Sequence, residues 1–229
     1  MRRRPPANLK NRSTRRSVTA LPKPIQKSVA LGKRSRGHVG REQGSFVPPE
    51  DWYEPLGEAA EYRIIEQSPG AGYRHINTPQ EIRQRLSDLP RALVEPLEVV
   101  QLSRMTRKKR TFPCYGMQWG TAIYLYPLES ELVEYFNRPP RPAEYNETRA
   151  YGGRWIQTGR HWKLAWTERT IRDFYLNNVL IHELGHLLDD RNSSYIDRER
   201  FAEWFAIEHG LRKNCQSTRR NHRRRHGRK

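Results

Sequence analysis

The spacing of apolar and polar positions predicts a mixture of short strands and helices. "EYRIIEQSPGAGYRHI" (61–76) holds two strand-like runs around a Pro-Gly-Ala-Gly turn. "TPQEIRQRLSDLP" (78–90) opens as a helix: Thr78 can cap, Pro79 takes the first helical position and Glu81 completes a capping box. Ile82, Leu86 and Leu89 then give it one apolar face. "LEVVQLSRM" (97–105) reads as a strand, and "RTFPCYGMQWGTAIYLYP" (110–127) as one or two more. In the latter, Ala122, Tyr124 and Tyr126 alternate with Ile123 and Leu125. "ESELVEYF" (129–136) fits a short helix and a strand equally. "NRPPRPAEYNE" (137–147) reads as a loop, because its three prolines cannot sit in a paired strand. "AYGGRWIQTGRHWKLAWT" (150–167) reads as a hairpin turning at Thr158-Gly159.

A long, largely buried helix follows in "TERTIRDFYLNNVLIHELGHLLDD" (167–190), with Thr167 as its cap and broad apolar faces from Ile171 to Leu188. A last helix is expected from about Asp197 to Glu208, with Gly210 as its C-terminal cap. The expected fold class is α+β: a small mixed sheet over 60–166, packed on the 167–190 helix. The strand in "TAIYLYP" or the one in "HWKLAWT" is expected at the sheet edge.

Charge divides the chain into three parts. Residues 1–43 carry thirteen Lys or Arg against the single acid Glu42, and residues 212–229 carry nine against none. The whole chain has a net charge of +18, so the two ends hold +21 and the centre −3. The expected organisation is a basic N-terminal tail (1–45), one domain (46–211) and a basic C-terminal tail (212–229). Tails rich in Arg, Lys, Pro and Ser bury too little apolar surface to fold and are expected to be disordered. Such cations attach nonspecifically to nucleic acid or another polyanion. No aromatic residues interleave with the final cluster "RRNHRRRHGRK", so base stacking is not indicated. Cys114 and Cys215 make no disulfide framework. No secretory signal or membrane-length apolar run is seen, which gives the expectation of a cytoplasmic protein with no membrane partner. The Arg- and Ser-bearing start has prolines and no amphipathic stripe, which argues against an organelle transit peptide.

The chemistry concentrates in "VLIHELGHLLDD" (179–190). On a helix His182 and His186 lie one turn apart on one face, so both imidazoles can reach one zinc at about 2.0–2.1 Å. Glu183 is rotated by roughly 100° from His182, beside such a metal, where a general base stands. Gly185 lets another segment or a substrate approach closely. A catalytic zinc needs a third protein ligand. In "RERFAEWFAIEH" (198–209) Glu203 lies among Phe201, Ala202, Trp204, Phe205, Ala206 and Ile207, where a buried carboxylate needs a strong partner. A metal would satisfy it; so would Arg198 or Arg200, or an exposed helix face. His209 is the rival third ligand. Asp189 and Asp190 either orient a ligand histidine or end the helix.

"HELGHLLDD" followed by "RERFAEWFA" resembles the gluzincin class of zinc metallopeptidases, and within it the catalytic domain of the anthrax lethal factor group, over residues 179–206. The resemblance implies a zincin-like fold and hydrolysis of protein or peptide substrates with one zinc per chain. His182, His186 and Glu203 would be its ligands and Glu183 the general base. Tyr195, eight residues before Glu203, would stabilise the oxyanion. The metzincin pattern fails, because Asp189 and Asn192 stand where it requires Gly and His. His209-Gly210 resembles the third-ligand HG of SprT-like proteases, but at longer spacing. The alternative from another class is a non-catalytic, nucleic-acid-associated protein whose zinc is structural or absent.

Overall fold

The computed structural model describes residues 49–51, 53, 61–111 and 114–212. Both tails, except Arg212, lie outside these residues, as does Cys215. The strands are β1 (Arg63–Glu66), β2 (Tyr73–Arg74), β3 (Val99–Leu102), β4 (Gly116–Trp119), β5 (Ala122–Leu125), β6 (Leu128–Glu129), β7 (Val133–Phe136), β8 (Arg154–Thr158) and β9 (His161–Ala165). The helices are α1 (Pro79–Ser87), α2 (Arg91–Val94), α3 (Arg107–Thr111), α4 (Pro142–Ala150), α5 (Glu168–Phe174), α6 (Leu180–Leu188) and α7 (Tyr195–Ala206). Wide π-helical turns occupy Tyr175–Val179, between α5 and α6, and Ile207–Leu211, after α7. The architecture is mixed α+β, as expected. No helix among the described residues is long and apolar enough to cross a membrane.

The principal sheet is mixed, in the order β1-β3-β5-β4, with β4 antiparallel to β5 and the other pairs parallel. Its period-two alternation separates two apolar faces. Val100, Leu102, Ile123 and Leu125 face the main core with Ile82, Phe174, Leu180 and Leu184. Val99, Ala122, Tyr124 and Tyr126 form a second cluster, against which Tyr53, Met117 and Trp119 pack. Burying a side chain such as Leu184 contributes about 1.5–3 kcal/mol. A second sheet, in the order β7-β9-β8, is antiparallel throughout. Its β8–β9 hairpin turns at Gly159, with φ +61°.

Several local expectations hold. Thr78 and Glu81 form the capping box of α1, and Thr167 caps α5 with Thr170 as its partner. Others need correction. The strands in "TAIYLYP" and "HWKLAWT" are β5 and β9, each flanked on both sides in its sheet, so neither is an edge. The edge next to α6 is β4. The segment 137–147 is only partly a loop: Pro142 starts α4, where its missing N–H costs nothing. "ESELVEYF" contains β7, whose Glu134 is buried and accepts hydrogen bonds from the Tyr115 hydroxyl at 2.8 Å and the Trp166 indole at 3.2 Å.

Helices α6 and α7 pack antiparallel across Gly185. A Cβ added there would stand 2.9 Å from the Ala202 Cα and 3.1 Å from the Phe205 Cβ. The closest of these atoms is backbone and cannot swing aside. Gly185→Ala should therefore destabilise the fold by about 1–3 kcal/mol, read as a fall in the denaturant midpoint with unchanged slope. An unchanged midpoint would show that the two helices do not pack this closely.

Candidate metal centre

Three elements build the site: α6 supplies two histidines, α7 a carboxylate, and β4 closes one side. The His182 Nε2 lies 3.7 Å from Glu199 Oε2, and the His186 Nε2 lies 3.3 Å from Glu199 Oε1. The two imidazole rings stand nearly perpendicular, with centroids 4.8 Å apart. Ligand atoms of His182, His186 and Glu199 all lie within 4.8 Å of one another, and among the described residues they form the group able to hold a metal ion. Ligands about 2.0–2.1 Å from a tetrahedral zinc stand roughly 3.3 Å from each other. The His186–Glu199 separation of 3.3 Å matches that figure, and the His182–Glu199 separation of 3.7 Å is somewhat longer.

The carboxylate brought to the histidines is Glu199 and not Glu203. The reason lies in the helix crossing. Ala202, Phe205 and Ala206 form the buried stripe of α7, and Ala202 meets Gly185. Glu199 continues that stripe one turn toward the helix start. The Arg198 guanidinium donates to the His186 carbonyl at 3.1 Å, which fixes this end of α7 against the end of α6. Glu203 lies one turn further along α7, toward the start of α6, and its side chain is only partly buried. The signal for Glu199 was present in its spacing from Ala202, three residues on, but became readable only once Ala202 was known to be the contact.

Glu183, expected beside the metal as a base, is 9 % exposed. Its carboxylate accepts the backbone N–H of Gln118 on β4. Gly116 makes room for it: a Cβ there would stand 2.9 Å from both the Cγ and the Oε1 of Glu183. Tyr195 is the first residue of α7, 56 % exposed, one turn before Glu199. Asp189 ends α6, and its Oδ1 accepts from the Asn192 backbone at 3.1 Å and the Asn192 amide at 2.9 Å. Asp190 is exposed beside Arg191. These bonds are those of a helix end. His209 lies in the second π turn with its ring against Phe205, outside the metal group.

The electrostatics follow from packing three ionisable groups together. Burial disfavours the Glu199 carboxylate, but hydrogen bonds from His182 and His186 outweigh it and hold the group well below the usual carboxylate range. Burial likewise opposes a charged His182, yet Glu199 and Glu183 raise its imidazole above the ordinary value. Burial pushes Glu183 up, against the lowering effect of both histidines.

A metal binds neutral imidazole and must displace any proton held there. Because His182 is raised, metal affinity should begin to fall above the ordinary histidine pKa and keep falling as pH drops. Chelator competition from about pH 8 to about pH 5 would measure this. Affinity independent of pH over that range would contradict the ligand assignment. No protein-family model, curated protein or solved structure matches the chain, so its identification as an α+β protein in which His182, His186 and Glu199 form a group able to hold a metal ion rests on this geometry.

Proposed function

We propose that the protein is a zinc-dependent metallopeptidase, with His182, His186 and Glu199 as the zinc ligands and Glu183 as the general base. The observation that carries this reading is the convergence of two imidazoles and one carboxylate, with a second, buried carboxylate directly adjacent. Two His and one Glu is the donor set of a catalytic zinc with an open position, whereas structural zinc sites usually close with four protein ligands. Bound there, zinc supplies Lewis acidity toward a carbonyl and makes water a stronger acid. The Glu183 carboxylate takes the proton of the attacking water and passes it to the departing amine nitrogen. Its raised affinity for protons suits a group that must both accept and release one. Tyr195, if turned toward the carbonyl from the first turn of α7, would donate its hydroxyl to the developing oxyanion.

Strand β4 offers a place for an extended peptide. Tyr126 N–H donates to Tyr115 O, which sets the alternation: Met117 and Trp119 bond inward to β5, and the backbone groups of Gly116 and Gln118 point away from it. The outward Gln118 N–H is the one that reaches Glu183. A substrate strand pairing along this edge would lie beside both the base and the ligand helix. The basic tails would tether the domain nonspecifically to nucleic acid or another polyanion. In the non-catalytic alternative, the same tails act without hydrolysis.

Glu183→Gln separates the two readings. It should keep stoichiometric zinc and the wild-type fold while losing peptide hydrolysis by about two or more orders of magnitude, measured as kcat on a quenched peptide library. Full retention of hydrolysis would remove Glu183 as the base. A wild-type protein that binds zinc and cleaves no peptide would favour the non-catalytic reading.

A further inference from the structure

The two ligand-bearing helices meet again at the end opposite Arg198. There the two π turns are in backbone contact: a Cβ on Gly210 would stand 1.8 Å from the Asn177 carbonyl oxygen. Gly210 is thus not the helix cap its sequence suggested, but the point where no side chain fits. A third element enters this junction. Arg85 of α1 is 8 % exposed; its Nε donates to Asn177 Oδ1 at 2.6 Å and its Nη2 to the His209 carbonyl at 2.6 Å. One planar guanidinium therefore holds the turn before α6 and the turn after α7 together. The Asn177 amide is oriented for this, since its Nδ2 donates to Asp173 Oδ1 at 2.6 Å. The Tyr151 hydroxyl donates to the Asn177 carbonyl at 3.1 Å.

We propose that Arg85 is a positioning residue for the metal centre: by bracing the two π turns it fixes the slide and rotation of α7 against α6, and so the distance from Glu199 to His182 and His186. Arg85 touches none of the three. The α6–α7 pair is held at one end by Arg198 on His186 O, in the middle by Gly185 against Ala202, and at the far end by Arg85. His209 O accepts from this guanidinium, which belongs to another helix. Asn177 Oδ1 accepts from the same group. Without the guanidinium both of these bonds are lost, and the wide turns are free to re-form with a different offset. A residue added or lost in a turn rotates everything beyond it by roughly 100°, so the ligand face is sensitive to this junction.

The inference rests on the metal-centre reading, and its test separates the two. Zinc affinity would be measured by chelator competition on the full chain and on Arg85→Met and Arg85→Lys, at a temperature where all are folded by circular dichroism. Visible spectra of the cobalt-substituted proteins would be recorded alongside. Arg85→Met should weaken metal binding by about 10–100-fold and shift the cobalt bands. Arg85→Lys, a point charge able to reach one acceptor, should lie between. Tyr151→Phe, which keeps the guanidinium, should give a smaller loss in the same direction and keeps the test open if Arg85→Met does not fold. Variants that melt earlier but bind zinc with wild-type affinity and unchanged cobalt spectra would show a brace for stability alone, and would overturn the proposal. A wild-type chain that takes up neither metal would overturn the metal-centre reading, and this inference with it.

Discussion

With no side chain on Gly185, α7 lies so close to α6 that a methyl there would stand 2.9 Å from the Ala202 Cα. That approach places Glu199, one turn before Ala202, within 3.3–3.7 Å of two imidazole nitrogens that α6 already presents on one face. The cost of burying a carboxylate is met by those histidines, and Glu199 is accordingly held far below the normal carboxylate range. A metal bound there would take the place of protons held by these groups. The same feature serves fold and site together. The crossing buries Ala202, Phe205 and Ala206 in the core, and the polar continuation of that stripe is the site.

Glu183 belongs to a second layer of constraint. It reaches β4, where Gly116 leaves space for its carboxylate and Gln118 donates a backbone N–H. Strand β4 is held on its inner side by β5 and, at its start, by the Tyr115 hydroxyl on buried Glu134. Helix α6, the Glu183 carboxylate and the sheet edge are thus tied through a single short strand.

What the sequence made legible follows the range of the forces involved. Caps at Thr78 and Thr167, the Gly159 hairpin and the two-faced alternation of 122–126 depend on neighbours a few residues away, and they appear as read. The HExxH pair is also local, since both histidines sit on one helix. Which carboxylate joins the histidines depends on where two helices cross. Glu199 and Glu203 are one turn apart on α7, and the apolar residues around Glu203 in the sequence drew attention to it. Only the Gly185–Ala202 contact decides between them. Sheet order is likewise nonlocal: β5, buried on both faces, and β9 lie inside their sheets, and the edge beside α6 falls to the Gly- and Gln-bearing β4. Pro142 misled in the opposite way, since a proline that excludes a strand is well placed at the first position of a helix.

The most direct test of the ligand assignment is zinc stoichiometry and affinity in Glu199→Ala beside Glu203→Ala, measured on purified, folded full-length protein. Glu199→Ala removes one of three donors and should lose bound zinc, or weaken it by several orders of magnitude, while Glu203→Ala should keep one zinc per chain with affinity near wild type. The reverse ranking, with zinc retained in Glu199→Ala and lost in Glu203→Ala, would contradict the site described for His182, His186 and Glu199.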